Sequence, residues 1–514
     1  MARQPRKDTT KHAREGETTV RIFTMTTRRR RRDDRRSALV ASVCLFLIVL
    51  LPSAASLSSS SSSSSSSFSS PQQQSKIITH LPGFDGPLPF QLQTGYVEVD
   101  ESNGVRLFYY FIRSERDPAQ DPVMIWLTGG PGCSAFSGLV YEIGSGLMST
   151  QSSCRILFTL PVIPTVVSNI IFIDSPVGTG FSYSKTEQGY KSSDTQVVTQ
   201  IVIFIRKWFD EHPEFLSNPF YVAGDSYCGI TVPGITLGIA KGIEDGSGSA
   251  LSLKGYLVGN PVTAYWYYDN PAKIPFAHGK GLISDEMYQA YKESCSAWEF
   301  SQECTESHAA IDECVKDICP NHILEPLCAF ASPRPCNLKL NSSAREMLQL
   351  QEDYTARAGL QLSEISTECR TAEYAMSMTW ANNDTVREAL GIHKGTVPSW
   401  LRCNFDIRYT NDIFSSVEHH LDVTTRGYRS LIYSGDHDMI VPSIGTQAWI
   451  KSLNFSVVDE WRPWYVDAQV AGYTRSYSNN LTFATVKGGG HTAPEYMPKQ
   501  CLAMFGRWLS GEPL

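Results

Sequence analysis

Short apolar runs that end abruptly at glycine-rich or charged turns recur along most of the chain. They occupy residues 123–127, 170–173, 220–223, 431–433 and 481–486. Because such runs contain few polar positions, they predict strands that are buried on both faces. That is the pattern of a parallel sheet that is covered by helices.

Helical periodicity fills stretches between these runs, most clearly at 194–209. The apolar positions of that stretch share one helical face: Val197, Ile201, Phe204, Ile205 and Trp208. Alternating strands and helices predict an open α/β sheet. Sheets of this kind hold their functional sites at the carboxyl ends of the strands, where the turns noted above begin.

The first 56 residues have the pattern of a secretory signal. Two arginine clusters, at 28–32 and 35–36, precede an apolar run at 38–51, and small residues follow at 52–56. A basic region, a short apolar region and a small-residue end are typical of a signal peptide. A nuclear-type basic cluster beside a core helix is the alternative. A single-pass anchor is disfavoured because the run is shorter than the roughly 20 residues that span a bilayer.

Residues 57–76 have too little apolar content to fold. An unbroken serine run at 58–67 is followed by proline and three glutamines at 71–74. This composition predicts a flexible spacer. The remaining residues, 77–514, are long enough for one large domain.

The distribution of charged residues bears on the expected binding partners and says little about the fold. The chain carries 45 Lys and Arg against 52 Asp and Glu, but residues 1–56 alone hold 13 basic and 5 acidic side chains. The body of the chain is therefore strongly acidic, which argues against nucleic acid as its main partner. We also expect no stable membrane anchor.

Cysteines and glycosylation sequons agree with export to an oxidising compartment. Thirteen cysteines are present, and seven of them lie between Cys295 and Cys369. This crowding predicts a disulfide-stapled subdomain, and the absence of paired C-x-x-C motifs disfavours a metal site. Four N-x-[ST] sequons predict glycosylation, at Asn341, Asn383, Asn454 and Asn480. We therefore expect a secreted or vacuolar protein.

Ser226 lies where a nucleophilic serine would be expected in such a sheet. It follows the apolar run at 220–223 within Gly224-Asp225-Ser226, and a helix is expected from Thr231 onward. A nucleophile elbow needs small neighbours because its serine occupies a strained strand-to-helix turn. Cys228 stands where a glycine is usual, and a lone G-x-S pattern often arises by chance.

Two later residues strengthen the case for Ser226. Asp438 follows the run at 431–433, and His491 follows the last run within a glycine-rich stretch. The order Ser, Asp, His is that of α/β-hydrolases, in which the acid orients the imidazole and the imidazole deprotonates the serine. Asp436 competes with Asp438 for the acid role, and we favour Asp438.

Five motifs resemble the serine carboxypeptidase family (peptidase S10 type), and more closely its plant serine carboxypeptidase-like branch. They lie at 126–134, 174–183, 224–229, 433–438 and 489–492, and the resemblance extends over about 77–514. It implies an α/β-hydrolase fold with a mostly parallel central sheet and a disulfide-stapled helical lid, inserted at about 262–416. It further implies that Ser226, Asp438 and His491 form the catalytic triad. The backbone N–H groups of Gly130 and Tyr227 would form the oxyanion hole.

Two departures from the family pattern bear on the substrate. The resemblance implies Asn at position 128 and Glu at position 225, where this chain has Thr128 and Asp225. In the family those side chains, with Gly129 and a further glutamate that corresponds to Glu142, bind the terminal carboxylate of a peptide. Both changes look like the branch recruited as acyltransferases, which move an acyl group from a 1-O-glucose ester to an alcohol or amine.

Three classes of function remain open from the sequence. The first is an acyltransferase in secondary metabolism with an acyl-glucose donor, and the second is a carboxypeptidase that acts on peptide C-termini. The third is an inactive binding protein. No P-loop, H-E-x-x-H or G-x-G-x-x-G signal appears, so we expect no metal, nucleotide or flavin cofactor.

Family pairings imply particular disulfides, which spacing alone does not fix. They are Cys133 with Cys369, Cys295 with Cys304, and Cys314 or Cys319 with a cysteine near Cys328 or Cys336. Cys228 is expected to be a free buried thiol. The segment 145–168 departs from the family pattern, and Cys154 within it has no evident partner.

Overall fold

The computed structural model describes residues 75–143, 147–151, 155–159, 167–248, 250–295, 301–327 and 370–514. The predicted signal segment and almost all of the predicted spacer lie outside these residues. Five single positions singled out in the sequence also lie outside them: Cys154, Cys328, Cys336, Asn341 and Cys369.

Fifteen strands are formed within the described residues. In chain order they are β1 Lys76–Ile78, β2 Leu92–Asp100, β3 Val105–Ile112, β4 Val123–Leu127, β5 Leu147–Gln151, β6 Arg155–Thr159, β7 Asn169–Ile173, β8 Lys191–Ser193, β9 Phe220–Asp225, β10 Leu253–Gly259, β11 Arg408–Thr410, β12 Arg429–Gly435, β13 Val457–Val466, β14 Gln469–Tyr477 and β15 Leu481–Val486. All five apolar runs noted in the sequence coincide with strands, namely β4, β7, β9, β12 and β15.

Eleven of these strands make one sheet with a parallel centre. Its order is β1-β2-β3-β7-β4-β9-β10-β12-β15-β14-β13. The six strands from β7 to β15 in that order pair in parallel, and antiparallel strands extend the sheet at both ends. The prediction of an α/β fold with a parallel central sheet is therefore confirmed. Sequence analysis did not identify β10, which lies between β9 and β12.

Twelve α-helices lie within the described residues. They are α1 Ala135–Ser137, α2 Asp194–Glu211, α3 Cys228–Glu244, α4 Lys273–Gly279, α5 Asp285–Ser294, α6 Gln302–Val315, α7 Thr371–Ala381, α8 Asp384–Leu390, α9 Val417–Thr425, α10 Ser443–Ser452, α11 Ala493–Tyr496 and α12 Pro498–Ser510. The predicted helix at 194–209 is α2. Helix α3 begins at Cys228, three residues earlier than Thr231, directly after the candidate nucleophile.

Alternate side chains of each central strand enter two different cores. On β4, Val123 and Ile125 join the apolar cluster that contains residues of α2 and α3, whereas Met124 and Trp126 join the cluster that contains residues of α12. Successive side chains of a strand point to opposite faces, so helices cover both faces of the sheet. This burial explains why the strands are continuously apolar.

The disulfides correct one pairing implied by family resemblance. Cys133 is bonded to Cys403 rather than to Cys369, because the strand-like segments around Cys133 and Cys403 lie antiparallel and bring the two Cα atoms to 3.8 Å. Cys295 and Cys304 are bonded to each other as expected from the resemblance.

The third implied bridge lies partly outside the described residues. Both of its candidate distal partners, Cys328 and Cys336, belong to the range 328–369 that the structure does not describe. Cys314 carries an exposed thiol that is hydrogen-bonded to the carbonyl of Leu282. Cys228 is a buried free thiol.

No helix within the described residues is both long enough and apolar enough to cross a membrane. The range 262–416, which we expected to be the lid insertion, contains helices α4 to α8 and strand β11 in its described parts. Of the expected glycosylation positions, Asn383, Asn454 and Asn480 are exposed.

Candidate active site

Ser226 occupies a tight turn between β9 and α3. Its φ of 54° lies in the left-handed region, which non-glycine residues rarely adopt. The turn leaves no room for larger neighbours, since a β-carbon on Gly224 would lie 2.7 Å from both the Leu127 carbonyl oxygen and the Cys228 β-carbon. The small residues around Ser226 thus permit the conformation, and Cys228 fits where a glycine is usual.

The structure brings together the three residues of the candidate triad from the ends of three strands. Ser226 Oγ lies 2.7 Å from His491 Nε2, and His491 Nδ1 lies 2.8 Å from Asp438 Oδ2. Ser226 follows β9, Asp438 follows β12 and His491 follows β15. Neighbouring parallel strands end at the same edge of a sheet, which explains how residues 265 positions apart in sequence meet.

The Asp438 carboxylate is fully buried and receives several hydrogen bonds. Its Oδ1 accepts from the N–H groups of Ile440 and Val441, at 2.7 and 3.2 Å, and its Oδ2 accepts from Asn260 as well as His491. These hydrogen bonds fix the orientation of the carboxylate beside the imidazole. Burial is the largest single effect on His491 and lowers its pKa, but the charge of Asp438, the hydrogen bond to Asp438 and the charge of Asp225 together outweigh it, so the net pKa is raised.

Asp436, the other candidate acid, does not contact His491 in the described structure. Its Oδ1 accepts a hydrogen bond from the Gly488 N–H at 2.7 Å and lies 2.7 Å from His437 Nδ1. Asp436 therefore holds the loop after β12 against the loop after β15. The geometry favours Asp438 over Asp436 as the partner of the imidazole.

The two residues expected to supply the oxyanion hole lie near Ser226, since Gly130 lines the same cavity and Tyr227 follows Ser226 directly. The loop 128–130 approaches the elbow so closely that a β-carbon on Gly129 would lie 2.9 Å from Tyr227 N and 2.6 Å from Ser226 Cβ. Within the described part of the chain, neither Gly130 N–H nor Tyr227 N–H donates to another group. Unpaired donors at this place can stabilise a developing negative charge.

Two buried acids lie next to the nucleophile. Glu142 Oε2 accepts hydrogen bonds from Thr128 Oγ1 and Trp126 Nε1, both at 3.2 Å, and Asp225 Oδ1 accepts from Gly129 N–H at 3.1 Å. Burial raises the pKa of Asp225 to about 6. Burial, reinforced by the charge of Asp225, raises the pKa of Glu142 well above its usual range.

Arg402, which no sequence pattern indicated, lines the same cavity as these acids and Ser226. It is 8% exposed, and its Nη1 donates to Ser137 Oγ at 3.2 Å. Its guanidinium carbon lies 3.9 Å from the centre of the Tyr374 ring, and its charge lowers the pKa of both Glu142 and Asp225. We name Thr128, Glu142, Asp225 and Arg402 the acidic pocket.

The Cys133–Cys403 disulfide explains how Arg402 reaches this pocket. Cys403 follows Arg402 directly, and the Arg402 carbonyl accepts a hydrogen bond from Ser134 N–H at 2.7 Å. No pattern of strand ends marks Arg402 in the sequence, because it lies in a loop. Asn260 was also missed, although it follows β10 as Ser226 follows β9, and recognition of β10 would have indicated it.

A group of metal-ligand side chains lies away from this site. Within the described residues, Cys295, Cys304 and His308 are the group whose ligand atoms come within 4.8 Å of one another. The two cysteines are joined to each other in a disulfide, so they are not thiolate ligands in this state.

The fold and the site together define a class, that of α/β-hydrolase folds with a serine at the elbow and a histidine and acid at neighbouring strand ends. Residues 82–511 match the family model of serine carboxypeptidases. The chain therefore belongs to the serine carboxypeptidase family.

Curated relatives and a solved structure agree with this family. The chain is 45% identical to Serine carboxypeptidase-like 2 of Arabidopsis thaliana over 453 residues, which cover 86% of this chain and 93% of the relative. It is 46% identical to Serine carboxypeptidase-like 19 of the same plant over 450 residues, 86% of this chain and 95% of the relative. The prohormone-processing carboxypeptidase Kex1 of Saccharomyces cerevisiae shares the fold, with a TM-score of 0.64, 20% identity and coverage of 84% of this chain and 95% of its own.

Proposed function

We propose that this serine carboxypeptidase-like enzyme is an acyltransferase, which moves an acyl group from a 1-O-glucose ester to an alcohol or amine acceptor. Ser226 is the nucleophile, His491 the general base and Asp438 the acid that orients the imidazole. Gly130 and Tyr227 supply the oxyanion hole. The hydrogen bonds of 2.7 and 2.8 Å along the triad support these roles.

The first half-reaction makes an acyl-enzyme. His491 Nε2 takes the Ser226 hydroxyl proton as Oγ attacks the ester carbonyl, and the negative charge on the carbonyl oxygen develops beside the two backbone N–H groups. His491 then returns the proton to the sugar oxygen as the bond to glucose breaks. The raised pKa of His491 favours the imidazolium, which holds this proton between the two steps.

The second half-reaction decides between transfer and hydrolysis. An acceptor hydroxyl that gives its proton to His491 can attack the acyl-enzyme and form a new ester, whereas water in the same place releases the acid. The pocket next to Ser226 determines whether an acceptor or water occupies the position from which the acyl-enzyme is attacked. In this chain that pocket is the acidic pocket.

The arrangement of Thr128 and Asp225 is the observation that carries the acyltransferase proposal. Both differ from the residues that the family uses to bind a peptide carboxylate, and both are already engaged with neighbours. The Thr128 hydroxyl donates to Glu142, and the short Asp225 side chain accepts from Gly129 N–H. A displacement of about 1 Å in a positioning group can cost on the order of a hundredfold in rate, so this pocket is a weakened receptor for a peptide C-terminus.

A panel of substrates tests the proposal. Purified glycosylated protein is incubated with hydroxycinnamoyl and galloyl glucose esters plus mixed alcohols and amines, and in parallel with blocked dipeptides at acidic pH. We expect new esters or amides, none with Ser226→Ala, and a shift toward hydrolysis in the double variant Thr128→Asn with Asp225→Glu. Release of C-terminal amino acids without transfer products would overturn the acyltransferase assignment.

Arg402 favours the second candidate function, a carboxypeptidase. Its Nε has no hydrogen-bond partner within the described residues, and a buried guanidinium with a free donor suits a carboxylate. A peptide C-terminus carries such a group, and so does a carboxylated acceptor. The peptide arm of the panel distinguishes these two sources of the carboxylate.

We further propose that the protein follows the secretory pathway and is secreted or vacuolar. The two disulfides and the exposed sequons at Asn383, Asn454 and Asn480 support this route. At Asn383, Oδ1 accepts from the Thr385 hydroxyl at 2.6 Å within the sequon itself. Digestion of the secreted protein with an N-glycosidase should lower its apparent mass, and an unchanged mass would contradict the glycosylation part of the proposal.

A further inference from the structure

Asn260 occupies an unusual position directly after β10. It is fully buried, and its φ of 44° lies in the left-handed region. Its backbone N–H donates to the Tyr433 carbonyl at 2.7 Å, which ties the end of β10 to β12. Non-glycine residues seldom adopt this conformation, and Asn is among those that tolerate it best. Such residues tend to persist where the surroundings fix them and function uses them.

The Asn260 side chain has one possible orientation in this setting. Gly435 N–H lies 3.3 Å from Asn260 Oδ1 and can only donate, so the amide oxygen faces Gly435. The amide nitrogen therefore faces Asp438 and donates to its Oδ2 at 2.7 Å. This is the same carboxylate oxygen that receives His491 Nδ1 at 2.8 Å.

The backbone on either side of Asn260 holds the nucleophile. Ser226 N–H donates to the Gly259 carbonyl at 2.9 Å, and Val262 N–H donates to the Ser226 carbonyl at 2.9 Å. Residues 259–262 are thus hydrogen-bonded through the main chain to Ser226, while the Asn260 side chain is hydrogen-bonded to Asp438. A single residue connects the two ends of the triad.

We propose that Asn260 is a positioning residue for the triad, one that acts through Asp438 and His491 without contact with the substrate. Its amide fixes the rotation of the Asp438 carboxylate, and that rotation aims the imidazole at Ser226 Oγ. The inference rests on the proposed function, since it presupposes that His491 activates Ser226. A hydrogen bond to a charged acceptor is about twice as strong as a neutral one, which suits this task.

The ionisable surroundings of Asn260 determine what a carboxyl would do in its place. They comprise Asp225 at the end of β9, Tyr433 on β12, Asp438 and His491 in the loops that follow, and Asp269 with Lys273 in the segment after β10. An aspartate at position 260 would be buried next to the Asp438 charge. Both burial and a like charge favour its protonated form.

Two substitutions test the side-chain amide of Asn260 separately from the backbone conformation at this position. Asn260→Gly tolerates the positive φ but removes the side chain. Asn260→Asp keeps the shape, and in its protonated form the new carboxyl donates to Asp438 as the amide did. As pH rises and that proton leaves, the donor is replaced by a second negative charge. Asn479→Gly is the matched control, because Asn479 has a φ of 61° and lies in the turn between β14 and β15.

The experiment measures the rate at which a fluorophosphonate labels Ser226 in the full-length secreted protein across pH. We expect Asn260→Gly to be slower than wild type by roughly 10- to 100-fold at every pH, as fits the loss of one hydrogen bond to a charged group. Asn260→Asp should label nearly as fast as wild type in acid and lose rate progressively as pH rises. Asn479→Gly should match wild type.

Two results would overturn the positioning role. One is Asn260→Gly labelling within about twofold of Asn479→Gly, and the other is Asn260→Asp losing the same fraction of rate at every pH. If thermal melting shows that Asn260→Gly does not fold, the pH profile of Asn260→Asp alone tests the positioning role. Wild-type protein that resists the reagent, like Ser226→Ala, would refute the proposed triad itself, which is a distinct outcome.

Discussion

The triad and the acidic pocket lie side by side but are built in different ways. Each residue of the candidate triad follows a strand of the parallel centre of the sheet, and the common edge at which these strands end brings the three together. The acidic pocket takes only Asp225 from the end of a central strand, and its other members come from a loop, a short helical turn and a distant segment that a disulfide holds in place.

The charge balance of the two regions differs as well. The buried Asp438 carboxylate accepts hydrogen bonds from two backbone N–H groups and from the Asn260 amide. Burial raises the pKa of both Glu142 and Asp225, and the charge of Arg402 is one of the effects that oppose this rise. Under the proposed function, the chemistry would depend on the sheet, and the choice of second substrate would depend on the loop that carries Arg402. The following predictions separate these two dependences.

The largest effect is expected on the triad. Ser226→Ala should lower acyl transfer by roughly 10⁴-fold or more, because no other group supplies the nucleophile, while the melting temperature stays close to wild type. Residues that act as one unit are not additive. The double variant Ser226→Ala with His491→Ala should therefore be no slower than Ser226→Ala alone, and a further loss in the double variant would show that His491 acts independently of Ser226.

The next largest effect is expected on stability, from the two disulfides that the described residues form. The Cys133–Cys403 bond closes 270 residues and the Cys295–Cys304 bond closes 9. The chain-entropy model therefore assigns them about 6 and about 3 kcal/mol. Serine replacement of the first pair should therefore lower the unfolding free energy more. It should also impair use of the second substrate, because Arg402 loses its support. Urea denaturation measures the first effect. Equal losses for the two pairs would contradict the entropic account.

Arg402→Met should change selectivity more than overall rate. We expect kcat/KM to fall by roughly 10- to 100-fold for acceptors or peptides that carry a carboxylate, and by much less for neutral acceptors. Arg408→Met is the control, since Arg408 is an exposed arginine nearby in sequence that pairs with Glu187. A uniform loss for charged and neutral acceptors would show that Arg402 supports the fold of the pocket and does not select substrates.

The same contrast explains what the sequence could predict. The five apolar runs marked five central strands, and the order of Ser226, Asp438 and His491 indicated their meeting at one sheet edge, because strand periodicity and strand ends are local signals. Strand β10 was not predicted, because Lys254 and Gly255 interrupt its apolar pattern. Asn260 was not predicted either, since it follows that strand.

Arg402 and the partner of Cys133 could not be predicted for a different reason. Both depend on how a loop that begins far along the chain docks against 132–134, and no periodic pattern encodes that contact. Resemblance to the family supplied the role of Glu142 but not the cation that balances it. Long-range loop contacts are where sequence patterns carry the least information.

The smallest effect is expected in the pH dependence of stability, and it concerns the acidic pocket. Burial raises the pKa of Asp225 to about 6, above that of an unfolded aspartate, so the folded state binds this proton more tightly. The resulting stabilisation is fully present below the unfolded pKa of about 3.9 and is lost as pH rises through about 6.

Asp225→Asn should therefore flatten the pH dependence of the unfolding free energy between about pH 4 and 6, because an amide has no proton to lose. The variant should gain stability relative to wild type as pH rises through this window. Asp85→Asn, on the exposed surface, is the matched control and should keep the wild-type slope. Urea denaturation at several pH values measures the pH dependence of the unfolding free energy in all three proteins. An unchanged slope in Asp225→Asn would mean that the folded state does not bind the Asp225 proton more tightly than the unfolded state does, which would contradict this account.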